Sequence, residues 1–182
     1  DMLITHSGGH SVQAFVDGVG KDADYMLTVD PVPCKFNTDA VSSDLAELHE
    51  QFVERWTEKF GNPPYHHVES RQFAQPILLL KEVLPLAIEK HGCVTPEAIS
   101  AAARELDLPD GSTLMGYGVK VSTPENPFKD PWLENEHIGQ NIKARAYINQ
   151  YFDGTLHTVW PEDFASHEPI PVLPDEHPLS AQ

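Results

Sequence analysis

Histidine, serine and glycine crowd two short stretches of the chain, and these define the chemistry open to it. The first, from His6 to His10, reads HSGGH, two imidazoles around a hydroxyl and two glycines. That composition suits the polar turn by which a strand of an open α/β sheet delivers a loop to a ligand crevice. The second, from Tyr65 to Glu69, reads YHHVE. Adjacent histidines leave a helix or a strand in different directions, so one ion could take both His66 and His67 only with help from a loop. His6 and His10 could chelate across their glycines. With no HExxH and no paired cysteines, however, the expectation is no metal and no cofactor. Hydrolysis by Ser7 fails on spacing, because a nucleophile elbow needs glycine two residues before the serine and position 5 is Thr. The acidic pairs Glu134/Glu136 and Glu162/Asp163 fall in polar loops, where solvated carboxylates are the default. No phosphate-cradling glycine motif is present. Binding is expected rather than catalysis, with a metal-dependent hydrolase using the histidines as the enzyme alternative.

The elements that must position these stretches are an α/β opening and a helical middle. Residues 2–5 predict a strand, 11–18 a short helix with Val12, Phe15 and Val16 inward, and 25–29 a second strand, together a βαβ unit. Asp30-Pro31-Val32-Pro33 then reads as a crossing between lobes. Leu45, Leu48, Phe52, Trp56 and Phe60 recur at helical spacing, giving one buried stripe on a helix that Ser43 and Asp44 open and Gly61 closes. The next segment, FAQPILLLKEVLPLAIEKHG, is apolar nearly all round and predicts an inner helix with two packing neighbours. Proline removes a donor and crowds the preceding turn, so Pro76 is expected near the first turn and a bend or break at Pro85. Thr95 as cap and Pro96 at the first helical position open a third helix that stops before Pro109. Residues 111–122 predict a strand and 123–141 a loop. ARAYINQYF and TLHTVW alternate about Asp153-Gly154, a hairpin, and the proline-rich remainder reads as an extended tail.

The net charge of -16 disfavours nucleic acid and anionic lipid as partners. No apolar run reaches the ~20 residues that cross a bilayer. Cys34 and Cys93 leave a disulfide open. The chain opens on what reads as a strand already under way, so its start is expected to be a cut rather than a beginning.

The hairpin and the residues after it, YFDGTLHTVWPEDFASHEPIPVLP, resemble the C-terminal signature of the type I periplasmic binding proteins, the branched-chain amino-acid-binding family of ABC-transporter receptors. Asp153-Gly154, Val159-Trp160-Pro161, Ala165 and Glu168-Pro169 match that signature in order. GKDADY at 20–25, FVERWTEKFGNPP, the helix starting near Phe73 and VTPEAISAAARELDL extend the likeness over nearly the whole chain.

The resemblance implies an α/β fold, the C-terminal part of a two-lobed type I periplasmic-binding-protein fold with truncated sheets. Residues 1–32 would end the second lobe, 33–115 form the helical part of the first, and 116–182 hold crossing strands, hairpin and tail. It places ligand contacts at His6, Ser7, Gly8 and Gly9 on one side and at Tyr65, His66, His67 and Val68 on the other. Where the family often has an acidic residue for an amino group, this chain has Ser7 and its neighbours, which suit a carboxylate, an amide or another neutral polar group. The implied role is an extracytoplasmic solute-binding component, periplasmic or extracellular and lipid-anchored in some settings. Its partners would be a small-molecule ligand, an ABC transporter permease, and either the missing N-terminal half or a second copy of the chain. A ligand-sensing regulatory domain of the same fold is the alternative.

Overall fold

The structure, a computed structural model, describes residues 5–6, 9–129, 136–175 and 177. In chain order the first half holds β1 (Thr5–His6), α1 (Gln13–Val19), β2 (Leu27–Asp30), α2 (Ser43–Phe60), α3 (His67–Leu78), α4 (Leu84–His91) and α5 (Pro96–Glu105). The second half holds β3 (Asp107–Leu108), β4 (Val119–Lys120), β5 (Phe128–Lys129), β6 (Glu136–His137), β7 (Tyr147–Phe152) and β8 (Thr155–Trp160). Two compact units result, one from Asp1–Gln72 with Ala146–Gln182 and the other from Phe73–Arg145.

The first unit is organised on a four-stranded sheet in the order β1-β2-β7-β8. β1 and β2 run parallel, as a βαβ unit requires, and β7 pairs antiparallel with both β2 and β8. The segment after β2 runs beside β8, where the Lys35 N–H donates to Leu156 O at 2.9 Å and the Thr158 N–H donates to Lys35 O at 2.8 Å. Ala23, Cys34, Tyr151 and Leu156 form a buried cluster against which Phe15, Val16 and Met26 pack.

The hairpin stands where the alternation put it. Asp153 (φ 48°) and Gly154 (φ 73°) both take left-handed backbone, the conformation that a two-residue hairpin turn demands. β2, in contrast, begins at Leu27 rather than Tyr25, because Tyr25 is itself left-handed (φ 66°) and cannot continue a strand. Neighbours over-determine that conformation: the Tyr25 N–H donates to Tyr151 O, and Tyr25 O accepts the Gln150 side-chain amide, both at 2.8 Å. The predicted strand at 2–5 lies largely outside the described residues.

α2 carries its stripe as spaced, but burial fades along it, from Leu45 at 4% exposed to Phe60 at 52%. Ser42, one residue before the predicted cap, precedes its first turn, and Gly61 (φ 82°) closes it. The segment after α2 departs from the expectation in two ways. Pro76 lies well inside α3, not at its start. Nor does the chain break at Pro85: Leu78, Val83 and Leu84 all keep right-handed helical backbone, and the ladder only widens into a π turn over Leu79–Val83, where the Leu84 N–H reaches back to Leu79 O. That wide turn lets Pro85 open α4, at a position where no amide donor is needed. Leu80 and Ile88 are 59% and 58% exposed, so within this chain the segment is covered on one side rather than on all.

In the second unit α5 starts as predicted, with Thr95 Oγ1 accepting the Ala98 N–H at 3.3 Å and Pro96 in the first turn. The predicted strand over 111–122 shrinks to Val119–Lys120, paired antiparallel with Asp107–Leu108. The residues before it are turn, closed by Gly111 N–H to Gly116 O at 2.9 Å. Asp107 draws in Lys120 and Lys143, both at 2.6 Å, and Arg145 pairs with Asp110. Cys34 is buried and Cys93 exposed, and both are free thiols.

Candidate functional site

β2 ends on a buried acid. Asp30, 1% exposed, accepts Ser11 Oγ at 2.9 Å, Thr28 Oγ1 at 2.5 Å and Asn149 Nδ2 at 3.2 Å, all on Oδ2. Asn149 passes the network on, its Oδ1 accepting Thr158 Oγ1 at 2.8 Å, and Thr158 Oγ1 accepts the Cys34 N–H at 3.0 Å. Alternation along β7 explains the placement. Tyr147, Asn149 and Tyr151 leave one face of the strand together, so a polar residue is carried inside with two aromatic ones.

Tyr151 joins the two stretches that sequence singled out. Its hydroxyl donates to His10 O at 2.5 Å, fixing the loop after β1. Its ring lies 6.1 Å from Phe15, on which His10 stacks at 4.5 Å, and 6.3 Å from His66. His66 is 2% exposed, and neither Nδ1 nor Nε2 has a hydrogen-bond partner. Three residues on, Glu69 Oε2 is buried and without a partner too.

Of the expected contacts, His6 ends β1 and Gly9 lies in an exposed turn, whereas Ser7 and Gly8 fall outside the described residues. Tyr65 is half-buried with Lys35 Nζ over its ring at 5.5 Å. His66 precedes α3, and His67 and Val68 are its first two residues, their side chains outside the description. Both stretches belong to the same compact unit. Asp30, Asn149, Tyr151 and Cys34 were not picked from sequence. The signal available was the Asn149-Gln150 pair inside a strand otherwise made of Tyr, Ile and Phe.

Electrostatics favour holding over reacting. Burial pushes the Cys34 thiol up, and Asp30 and Glu69 push it further, so it stays protonated and a poor nucleophile. Burial raises the Tyr151 phenol as well, with Cys34, Asp30 and Glu69 adding to it. Burial pushes the His66 imidazole down, outweighing Glu69 and Asp17, which leaves it neutral at pH 7. Beside Tyr65 a hollow of about 320 Å³ opens, lined by Lys35, Phe36, His49, Val53 and Glu54 among others. Among the described residues no group of three or more His, Cys, Asp or Glu side chains could hold a metal ion.

No protein-family model matches the chain. Leu/Ile/Val-binding protein homolog 8 of Brucella abortus (strain 2308) is 31% identical over 166 residues, which cover 90% of this chain and 35% of that protein. Homolog 7 of the same strain is 27% identical over 167 residues, 91% of this chain and 36% of that protein. Among solved structures, the leucine binding protein LivK from Thermotoga maritima matches with a TM-score of 0.52 at 16% identity, over 86% of this chain and 36% of LivK. A branched chain amino acid ABC transporter from Thermus thermophilus with bound valine matches with a TM-score of 0.50 at 16% identity, over 87% of this chain and 38% of its own. The fold is part of the type I periplasmic binding protein fold. The resemblance seen at the hairpin therefore extends over nine-tenths of the chain, to relatives of which it spans about a third. Among the described residues no helix is long and apolar enough to cross a membrane.

Proposed function

We propose that this chain supplies ligand contacts in an extracytoplasmic solute-binding protein that serves an ABC importer. It binds a small polar or amphipathic metabolite, amino-acid-like, carboxylate or amide, in the cleft between the lobes of the complete type I fold. The observation that carries this reading is the similarity to Leu/Ile/Val-binding protein homologs over 90% of the chain. The geometry supports it, because His10 and His66, one from each stretch, both lie against Tyr151, and because His66 keeps unused hydrogen-bonding capacity in a buried position. His6, Ser7, Gly8 and Gly9 are assigned to the first side of the site and Tyr65, His66, His67 and Val68 to the second. The protein is periplasmic or extracellular, acts without turnover by closing on its ligand, and hands it to a permease. The rest of the fold comes from an N-terminal half or from a second copy.

The test is calorimetric titration of the chain against a panel of small metabolites in chelator-treated buffer. One saturable, metal-independent ligand recovered unchanged is the expected result. Affinity that appears only with added zinc, or conversion of any panel member, would overturn the reading.

A further inference from the structure

The two unpartnered groups beside Tyr151 differ in chemistry from what a carboxylate needs. A neutral imidazole offers one N–H donor and one lone-pair acceptor, and a carboxylate oxygen offers only acceptance. His66 and Glu69 Oε2 together therefore present two acceptors and one donor, all buried and all unused. Leaving such groups unsatisfied is costly, and a folded protein sustains the cost where a ligand supplies the missing partners.

A purely structural account does not cover them. His66 caps α3 through its backbone, its carbonyl accepting the Ser70 N–H at 3.0 Å. Glu69 is the third residue of that helix, from which a capping box would return its carboxylate to the His66 N–H, yet Oε2 reaches no donor. Among the described residues Glu69 enters no ion pair, and its Oε2 is left without a partner. The local field is negative as well. Glu69 and Asp17 both act on His66, and Asp30 and Glu69 both act on Cys34 and Tyr151. An entering carboxylate would meet repulsion there, and an N–H group would meet attraction.

We propose that His66 and Glu69 form the subsite for a nitrogen-bearing end of the ligand, an ammonium or amide group whose N–H bonds go to Glu69 Oε2 and to the bare imidazole nitrogen. The inference rests on the receptor reading and narrows its ligand class, excluding a carboxylate at this position. An amide would in addition return its carbonyl oxygen to the His66 N–H. An ammonium would leave that donor to a neighbouring ligand atom.

Three compounds with one carbon skeleton test it: isovaleramide, isoamylamine and isovalerate, titrated into the full chain and into its Glu69→Gln and His66→Phe variants. The expected result is binding of the amide or the amine but not of the acid, weakened about tenfold or more in both variants. A loss in Glu69→Gln that is larger for the amine marks an ammonium site, and equal losses mark an amide site. His66→Phe should melt no lower than the parent, because it removes unsatisfied groups rather than bonds. Isovalerate binding with the variants unchanged, silence from all three compounds, or a lowered melting temperature in His66→Phe would each overturn the subsite. The metabolite panel separates this from failure of the receptor reading, since a panel ligand that binds the two variants as tightly as the parent leaves the receptor standing without it.

Discussion

Gln150 grips the backbone of Ile170 with both ends of its side chain: Nε2 donates to Ile170 O at 2.7 Å, and Oε1 accepts the Ile170 N–H at 2.8 Å. The same Nε2 also reaches Tyr25 O at 2.8 Å. One fully buried amide thus ties the proline-rich segment after β8 to the sheet and to the left-handed residue that precedes β2.

Replacing it should release both. Gln150→Leu keeps the approximate volume but leaves an N–H and two carbonyls without partners, at a cost of about 1–3 kcal/mol for each group that water cannot reach. A lower urea midpoint together with faster proteolytic cleavage near 166–175 is expected. Unchanged cleavage of that segment would show that the grip does not hold it.

Asp30 is the hub of the other buried network. Asp30→Ala strands the donors of Ser11, Thr28 and Asn149 at once, so a loss of about 3 kcal/mol or more is expected in equilibrium denaturation. A loss below about 1 kcal/mol would mean that water or repacking satisfies them, contrary to their complete burial.

Gly118 sits where a second backbone passes. A Cβ there would lie 2.2 Å from Leu108 O, a distance no methyl group can occupy, so β4 would have to move away from β3. Gly118→Ala should cost about 1–3 kcal/mol or more. Its effect should concentrate in the hydrogen-exchange protection of the β3/β4 pair. Wild-type protection in the variant would contradict the close approach.

Two imidazoles give the first unit an acid-sensitive stability. Burial pushes His49 down to about 4, and burial with Lys35 and His167 pushes His157 down to about 4. Unfolded imidazoles titrate near 6.5, so as pH falls the unfolded chain takes its protons first. The contribution of both groups is complete above about 6.5 and drains away between there and about 4. Melting temperature should fall across that window, and His49→Gln should flatten part of the slope. Asp107, held at about 2 by hydrogen bonds from Lys120 and Lys143, gives up its share only at lower pH. A melting temperature constant from pH 6.5 to 4 would contradict the neutral, half-buried state of these rings.

What the sequence determined by itself was whatever short-range physics decides. Asp153-Gly154 needs left-handed backbone and so makes the hairpin. Thr95-Pro96 supplies an acceptor and a preset φ and so starts α5. The order of such local signals was sufficient to place the chain in a known fold. The tertiary structure decided the rest, because the rest depends on partners far along the chain. Tyr25 breaks its predicted strand only because Gln150 and Tyr151 hold it. Pro76 is tolerated inside α3, where the isolated sequence argues for its first turn. His66 stood out in the sequence as one of two adjacent histidines in a stretch where the family resemblance expects ligand contacts. What sets it apart is burial beside Tyr151 with both ring nitrogens unanswered, a property of residues eighty-five positions apart that no local pattern encodes.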